Sequence, residues 1–131
     1  MKVEGDTMSR ESIGMQTVLV IINSPGYGSE NVYNALRLAR ALLDEPEIEV
    51  SVFLMGDAVV AAKKGQDTPT GYYNLAKMLL SLTQKGVGVS LCGTCMDARG
   101  IQETELVDGT RRGSMKELAG LVHMSGKVLT F

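Results

Sequence analysis

From Thr17 to Asn23 the chain reads TVLVIIN, an apolar and β-branched run that breaks into the turn cluster SPGYGS. A run with no polar alternation predicts a strand buried on both faces, as in a parallel sheet. Ser29 is placed to cap a helix starting near Glu30, where Val32, Ala35, Leu36, Ala39, Leu42 and Leu43 recur at helical spacing until Pro46. Ile48 to Leu54 predicts a second strand, ended by Gly56. A short helix follows, with Asp57 at its start and Gly65 after its end. Gly65 to Gly71 reads as a loop, and YYNLAKMLLSLTQKG as a helix opened by Tyr72 and Tyr73. That helix carries Leu75, Met78, Leu79 and Leu82 on one face and stops at Gly86.

Val87 to Leu91 predicts a third strand, which runs directly into CGTCMDARG. A short helix is expected over about Cys95 to Arg99, a longer one from Ser114, and a closing strand in GKVLTF; Gln102 to Gly109 is the candidate for one more strand. Residues 1–16 show neither period and read as a mobile tail, so residues 17–131 form a single domain. Strands alternating with helices at this spacing imply right-handed crossovers. The expected fold is a doubly wound α/β domain: a parallel sheet of four to five strands with helices on both faces. With the first strand central and the second and third beside it, SPGYGSE and CGTCMDARG would face each other across the crevice at the carboxyl end of the sheet.

Composition narrows the function classes. A net charge of −2 over 131 residues gives no electrostatic case for nucleic acid or an anionic membrane. No apolar run approaches the roughly 20 residues of a spanning helix, and the N-terminus lacks the apolar core of a signal peptide. A cytoplasmic setting is expected, where disulfides are rarely structural. With no Trp and 2 Phe the core must be aliphatic, and most of the 8 Met are expected to fill gaps in it.

Both cysteines fall in the segment after the third strand. Cys95 near a helix N-terminus, with Arg99 folding back from one turn on, describes a thiol held as thiolate. Arg111 and Arg112 add positive charge if their loop reaches the same rim. A zinc site within one chain is not expected, because one C-x-x-C supplies two of four ligands and the only His, His123, lies in the apolar spacing of the last helix. A metal site shared between subunits stays open. A thioredoxin-type dithiol has this spacing, but in thioredoxin-like proteins the motif follows the first strand and faces a later cis-proline. Here Pro25, Pro46 and Pro69 all precede it. Simple packing of two small apolar residues is the remaining alternative, opposed by the Gly93, Thr94, Asp97 and Arg99 around them. SPGYGSE has neither G-x-G-x-x-G nor a Walker lysine, so its glycines read as a tight reversal with Tyr27 shielding the crevice.

PGYGSENVYNALRLA after the first strand, FLMGDAV after the second, CGTCMDARG after the third and RRGSMKELA before the closing KVLTF stand in an order that resembles the DsrE/DsrF-like family, over about Thr17 to Phe131. These are small α/β sulfur-handling proteins that include the TusBCD sulfur-relay components. The resemblance implies a flavodoxin-like three-layer sandwich assembled into trimers or hexamers. It also implies a cysteine at the end of the third strand that accepts sulfane sulfur as a persulfide and passes it on. Cys92 stands at the matching place, whereas Cys95 makes a C-x-x-C that the relay members lack. The expected function is sulfur relay between donor and acceptor proteins, without a cofactor or resident metal. Its residues are Cys92, Cys95 and Arg99 for the chemistry, with Tyr27, Gly28, Gly93, Thr94 and Asp97 around the substrate. The alternatives are a C-x-x-C thiol–disulfide redox protein and a non-catalytic homo-oligomeric binding or structural protein of the same fold.

Overall fold

The computed structural model describes residues 15–131. Strand β1 (Gln16–Ile22), helix α1 (Asn31–Leu42), strand β2 (Ile48–Leu54) and a 3-10 helix (Gly56–Ala62) lead into helix α2 (Leu75–Gln84) and strand β3 (Gly88–Cys92). Helix α3 (Gly93–Ala98), a 3-10 turn (Glu103–Glu105), strand β4 (Thr110–Gly113), helix α4 (Met115–Met124) and strand β5 (Lys127–Thr130) complete the chain. All strand pairs are parallel, in the order β4-β3-β2-β1-β5.

The expected parallel α/β sheet is present, but its order differs from the expected one. β1 is flanked by β2 and β5, and β3 lies beyond β2. The chain steps in one direction from β1 to β4, and only the crossover through α4 reverses it. Right-handed crossovers therefore put α1 and α2 together on one face and α4 on the other, and the packing of α1 on α2 and of α4 on β1 agrees. Periodicity shows that a strand is buried; it carries no record of which strand lies beside it.

The other differences are local. The fifth strand is Thr110–Gly113, not Gln102–Gly109. In that earlier segment Leu106 and Val107 are buried, but the backbone makes a 3-10 turn and one antiparallel bridge, Lys63 to Leu106. Helix α2 begins at Leu75, because the Asn74 side chain accepts a hydrogen bond from the Lys77 N–H (3.1 Å); Tyr72 and Tyr73 precede it. Helix α1 has Glu30 at its cap position, and Ser29 Oγ accepts weakly from the Asn31 N–H (3.4 Å). Of the expected tail, residues 1–14 lie outside the described residues. Gln16 already belongs to β1, its N–H donating to the Glu47 carbonyl (2.8 Å).

The core is aliphatic, as the composition requires. Leu19, Val20, Ile22, Val52 and Leu54 of β1 and β2 are fully buried, with Phe53 the largest core side chain. α1 adds Val32, Ala35, Leu36 and Ala39, and α2 adds Leu75, Leu79 and Leu82. Truncating one of these leucines to alanine costs about 2–5 kcal/mol. The methionines depart from expectation: Met96 is buried, Met55 and Met78 are half-buried, and Met15, Met115 and Met124 are exposed. Among the described residues, no helix is long and apolar enough to cross a membrane.

Candidate functional site

Parallel register fixes what meets at the carboxyl end of β3. Leu91 pairs with Leu54 of β2 and Cys92 with Gly113 of β4. The turn after β2 and the start of α4 therefore flank the cysteine segment. Helix α3 starts at Gly93, two residues earlier than expected, so Cys92 rather than Cys95 holds its N-cap position. The Cys95 N–H donates to Cys92 Sγ (3.4 Å), and Thr94 Oγ1 lies 3.3 Å from the same sulfur. Cys95 Sγ in turn accepts from the Gly56 N–H (3.2 Å).

These contacts move the two thiols in opposite directions. Burial pushes the Cys92 thiol up, yet hydrogen bonds from the Cys95 and Thr94 side chains and from their backbone N–H groups outweigh it and leave it below its ordinary value. Burial pushes Cys95 up as well, and donating its own proton toward Cys92 adds to this. The Gly56 N–H and the Arg99 charge offset only part. Cys92 is the thiol held toward thiolate. It is 5% exposed, while Cys95 is intermediate.

Two arginines border the pair. Arg99 folds back as expected, but its guanidinium is taken: Nε and Nη2 donate to Asp57 Oδ1 (3.2 and 2.7 Å) and Nη1 to the Cys95 carbonyl (3.0 Å). Arg112 donates through Nη1 and Nη2 to the two Asp97 oxygens (2.8 and 2.9 Å). That fork holds the Asp97 carboxyl below the usual carboxylate range. Arg111, on the opposite face of β4, pairs with Glu117 of α4. Cys92, Gly93, Thr94, Arg112, Gly113, Ser114 and Met115 line a cavity of about 240 Å³, so the buried thiol borders a cavity whose wall is largely apolar but carries the Thr94, Ser114 and Arg112 side chains.

Of the residues expected at the site, Cys92, Cys95, Gly93, Thr94, Asp97 and Arg99 come together; Tyr27 and Gly28 do not. Tyr27 Oη donates to Gln66 Oε1 (2.5 Å) and accepts from the Leu75 N–H (3.1 Å), and its ring stacks on Tyr73 at 5.7 Å. It lines a separate cavity of about 340 Å³ that shares no residue with the one at Cys92. Gly28, with φ of 99°, serves the reversal of its loop. The cause is the strand order: β2 intervenes between β1 and β3, so their loops sit roughly 10 Å apart across the sheet. The turn facing the cysteines is Met55–Gly56–Asp57. Gly56, Asp57, Gly113 and Ser114 were not anticipated, and Arg112 only conditionally; they arrive by strand pairing, which leaves no local spacing to read. Among the described residues no third His, Cys, Asp or Glu joins the cysteines in a metal-holding cluster, and His123 is exposed on α4.

The sequence profile of the DsrE/DsrF-like family matches residues 16–131. Protein YchN of Escherichia coli K12 is 45% identical over 118 residues, covering 89% of this chain and 100% of YchN. Its crystal structure aligns with a TM-score of 0.84 over the same shares. Sulfurtransferase TusD of Salmonella typhi is 33% identical over 88 residues, which is 66% of this chain and 69% of TusD. MTH1491 from Methanobacterium thermoautotrophicum aligns with a TM-score of 0.72 over 89% of this chain and 99% of its own, at 15% identity, a likeness of fold alone.

Proposed function

The chain belongs to the DsrE/DsrF-like family, and on that premise we propose that it is a sulfur-relay protein carrying sulfane sulfur as a persulfide on Cys92. The observation that carries this reading is the Cys92 thiol itself: hydrogen bonds hold it below its ordinary pKa, at the end of β3, beside a cavity that Arg112, Thr94 and Ser114 also line. Its likeness to Sulfurtransferase TusD points the same way.

The Cys92 thiolate attacks the outer sulfur of a donor persulfide. The donor's S–S bond breaks, the donor leaves as a thiolate, and Cys92 carries the persulfide. An acceptor thiolate then attacks that outer sulfur and frees Cys92 again. Sulfur changes hands without net oxidation, so neither cofactor nor general base is needed. Thr94 steadies the Cys92 sulfur, Asp97 steadies Arg112, and Arg99 acts on Cys95. Tyr27 and Gly28 are left outside this chemistry. Donor and acceptor proteins with their own cysteines, a homo-oligomer of three or six copies and a cytoplasmic setting belong to the same proposal.

A second reading, thiol–disulfide redox, is favoured by the placement of both cysteines on the first turn of α3, Cys92 at its N-cap with the Cys95 N–H on its sulfur (3.4 Å). Intact-mass spectrometry after incubation with inorganic polysulfide separates the two. Relay predicts a gain of about 32 Da, seen at early times even if a disulfide follows, that disappears in Cys92→Ser and on adding a small thiol acceptor; redox predicts a loss of about 2 Da with no such adduct at any time. Unmodified protein, or an adduct that survives Cys92→Ser, ends the relay reading.

A further inference from the structure

We propose that Arg112 is the positioning residue for the sulfur held at Cys92, its guanidinium forming the cationic wall of the cavity there. This deepens the sulfur-relay reading and rests on it. Four observations carry the assignment. β4 pairs Leu91 with Arg112 and Cys92 with Gly113, so Arg112 stands one residue before the thiol's cross-strand partner; alternation sends its side chain to Leu91's face, away from Arg111, and it meets the thiol beyond the strand end, at the cavity both line. The guanidinium lies against Gly93: a Cβ there would stand 2.7 Å from its Cζ and Nε and 2.9 Å from Nη2. The Asp97 fork fixes its plane. Asp97 belongs to α3, whose N-cap is Cys92, so the sulfur and the cation share one rigid frame. Finally, Arg112 and Cys92 line the same cavity.

The competing cation is less well placed. Arg99 is bound to Asp57 and to the Cys95 carbonyl, on the Cys95 side of the pair. The charged and titratable groups around Cys92 are Cys95 and Asp97 from α3, Arg112 from β4 and Glu103 beside it, and the Asp57–Arg99 pair across the turn after β2. Arg111 shares the Cys92 face of the sheet, but it and Glu117 of α4 neutralise each other there. Asp97 cancels part of the Arg112 charge, so the effect on Cys92 is moderate. The lack of a side chain at Gly93 is part of the device, because any Cβ would take the space of the guanidinium. Arginine is flexible, so such a substitution displaces the cation rather than the fold.

The test uses the full chain and reads Cys92 alkylation by iodoacetamide across pH, by peptide mass, with circular dichroism and thermal unfolding alongside. Arg112→Gln is expected to slow Cys92 alkylation at neutral pH about three- to tenfold and to move its profile to higher pH, with a smaller change at Cys95. Arg112→Lys restores part of the rate, keeping the charge but losing the fork. Gly93→Ala is expected to reproduce the Arg112→Gln profile while unfolding at the same or a higher temperature, since alanine favours helix over glycine. A wild-type Cys92 profile in folded Arg112→Gln or in Gly93→Ala overturns the assignment, as does a Cys92 that resists alkylation throughout the folded range. If Arg112→Gln does not fold, Gly93→Ala decides alone. Alkylation is read independently of sulfur loading, so a failed sulfur relay and a failed role for Arg112 give different results.

Discussion

The Gly56 N–H donates to the Cys95 sulfur at 3.2 Å, tying the turn after β2 to the helix after β3. Gly56 can aim its N–H there because its φ is 58°, in the left-handed region that side-chain-bearing residues avoid. The same turn supplies Asp57, which holds Arg99 at 2.7 Å. Cys95 is thus anchored by a neighbouring strand's loop, while Cys92 is anchored within its own helix and against β4. The two thiols of one short motif answer to different parts of the fold.

That division predicts the order in which they react. Cys92 is held below its ordinary value and Cys95 above it. At neutral pH iodoacetamide is expected to modify Cys92 first, although Cys95 is the more exposed, and Cys95 to catch up as the pH becomes alkaline. Peptide mapping at a series of pH values checks this. The linkage signs oppose each other. The depressed Cys92 adds stability above its unfolded pKa, lost as pH falls through its folded value. The raised Cys95 adds stability below its unfolded pKa, lost as pH rises through its folded value. Thermal unfolding should therefore change little between neutral and mildly alkaline pH on account of the thiols.

Gly56→Ala isolates the backbone contribution. A Cβ at this position meets nothing closer than the Asn23 carbonyl oxygen at 3.5 Å, so the cost is conformational and not steric. Holding alanine at this φ costs about 1–2 kcal/mol, which lowers the unfolding temperature by roughly 3–8 °C in a domain of this size. Gly56→Asn is expected to cost less, because asparagine enters the left-handed region more readily. In the alanine variant Cys95 alkylation also slows, since the N–H that favours its thiolate is no longer aimed at it. Calorimetry together with peptide mapping checks both effects.

Arg99→Ala separates the two cations. Its pair with Asp57 is largely open to solvent, the Asp57 side chain being 62% exposed, so the stability lost is below about 1 kcal/mol. The thiol that responds is Cys95, whose charged form Arg99 favours. Its alkylation profile is expected to move to higher pH by more than that of Cys92, and the reverse ordering would reassign Arg99 to the Cys92 sulfur.

The strands of the core were legible because β1 leaves an unbroken apolar run from Val18 to Ile22, while β2 and β3 stay rich in apolar and β-branched residues despite Glu49, Ser51 and Ser90. β4 was not: it has four residues, two of them exposed arginines, and is a strand only because β3 offers it an open edge. The apolar pair Leu106 and Val107 drew the expectation to the neighbouring segment, whose backbone turns instead. The cysteine segment could be read because its chemistry is contiguous. Arg112 stands 15 residues beyond its partner Asp97 and reaches the site through strand pairing. Tyr27 was misplaced for the same reason in reverse, by a strand order that hydrophobic patterning does not encode.

The role of Cys95 turns on a comparison between serine and alanine at its position. Cys95 offers the site two things, a side-chain proton donor toward Cys92 and a second thiol. Serine keeps a donor and removes the thiol; alanine removes both. If Cys95 resolves the persulfide, its thiolate attacks the inner sulfur of Cys92, expels hydrosulfide and leaves a Cys92–Cys95 disulfide. Cys95→Ser then forms the adduct of about 32 Da at close to the wild-type rate and holds it several-fold longer, with no hydrosulfide released. Cys95→Ala also retains the adduct but forms it more slowly, because the Cys92 thiol rises when it loses a hydrogen-bond donor. Time-resolved intact-mass measurements with a hydrosulfide assay check both arms. Equal adduct lifetimes in wild type and Cys95→Ser would show that Cys95 does not resolve the persulfide, and would leave it the part of tuning its neighbour.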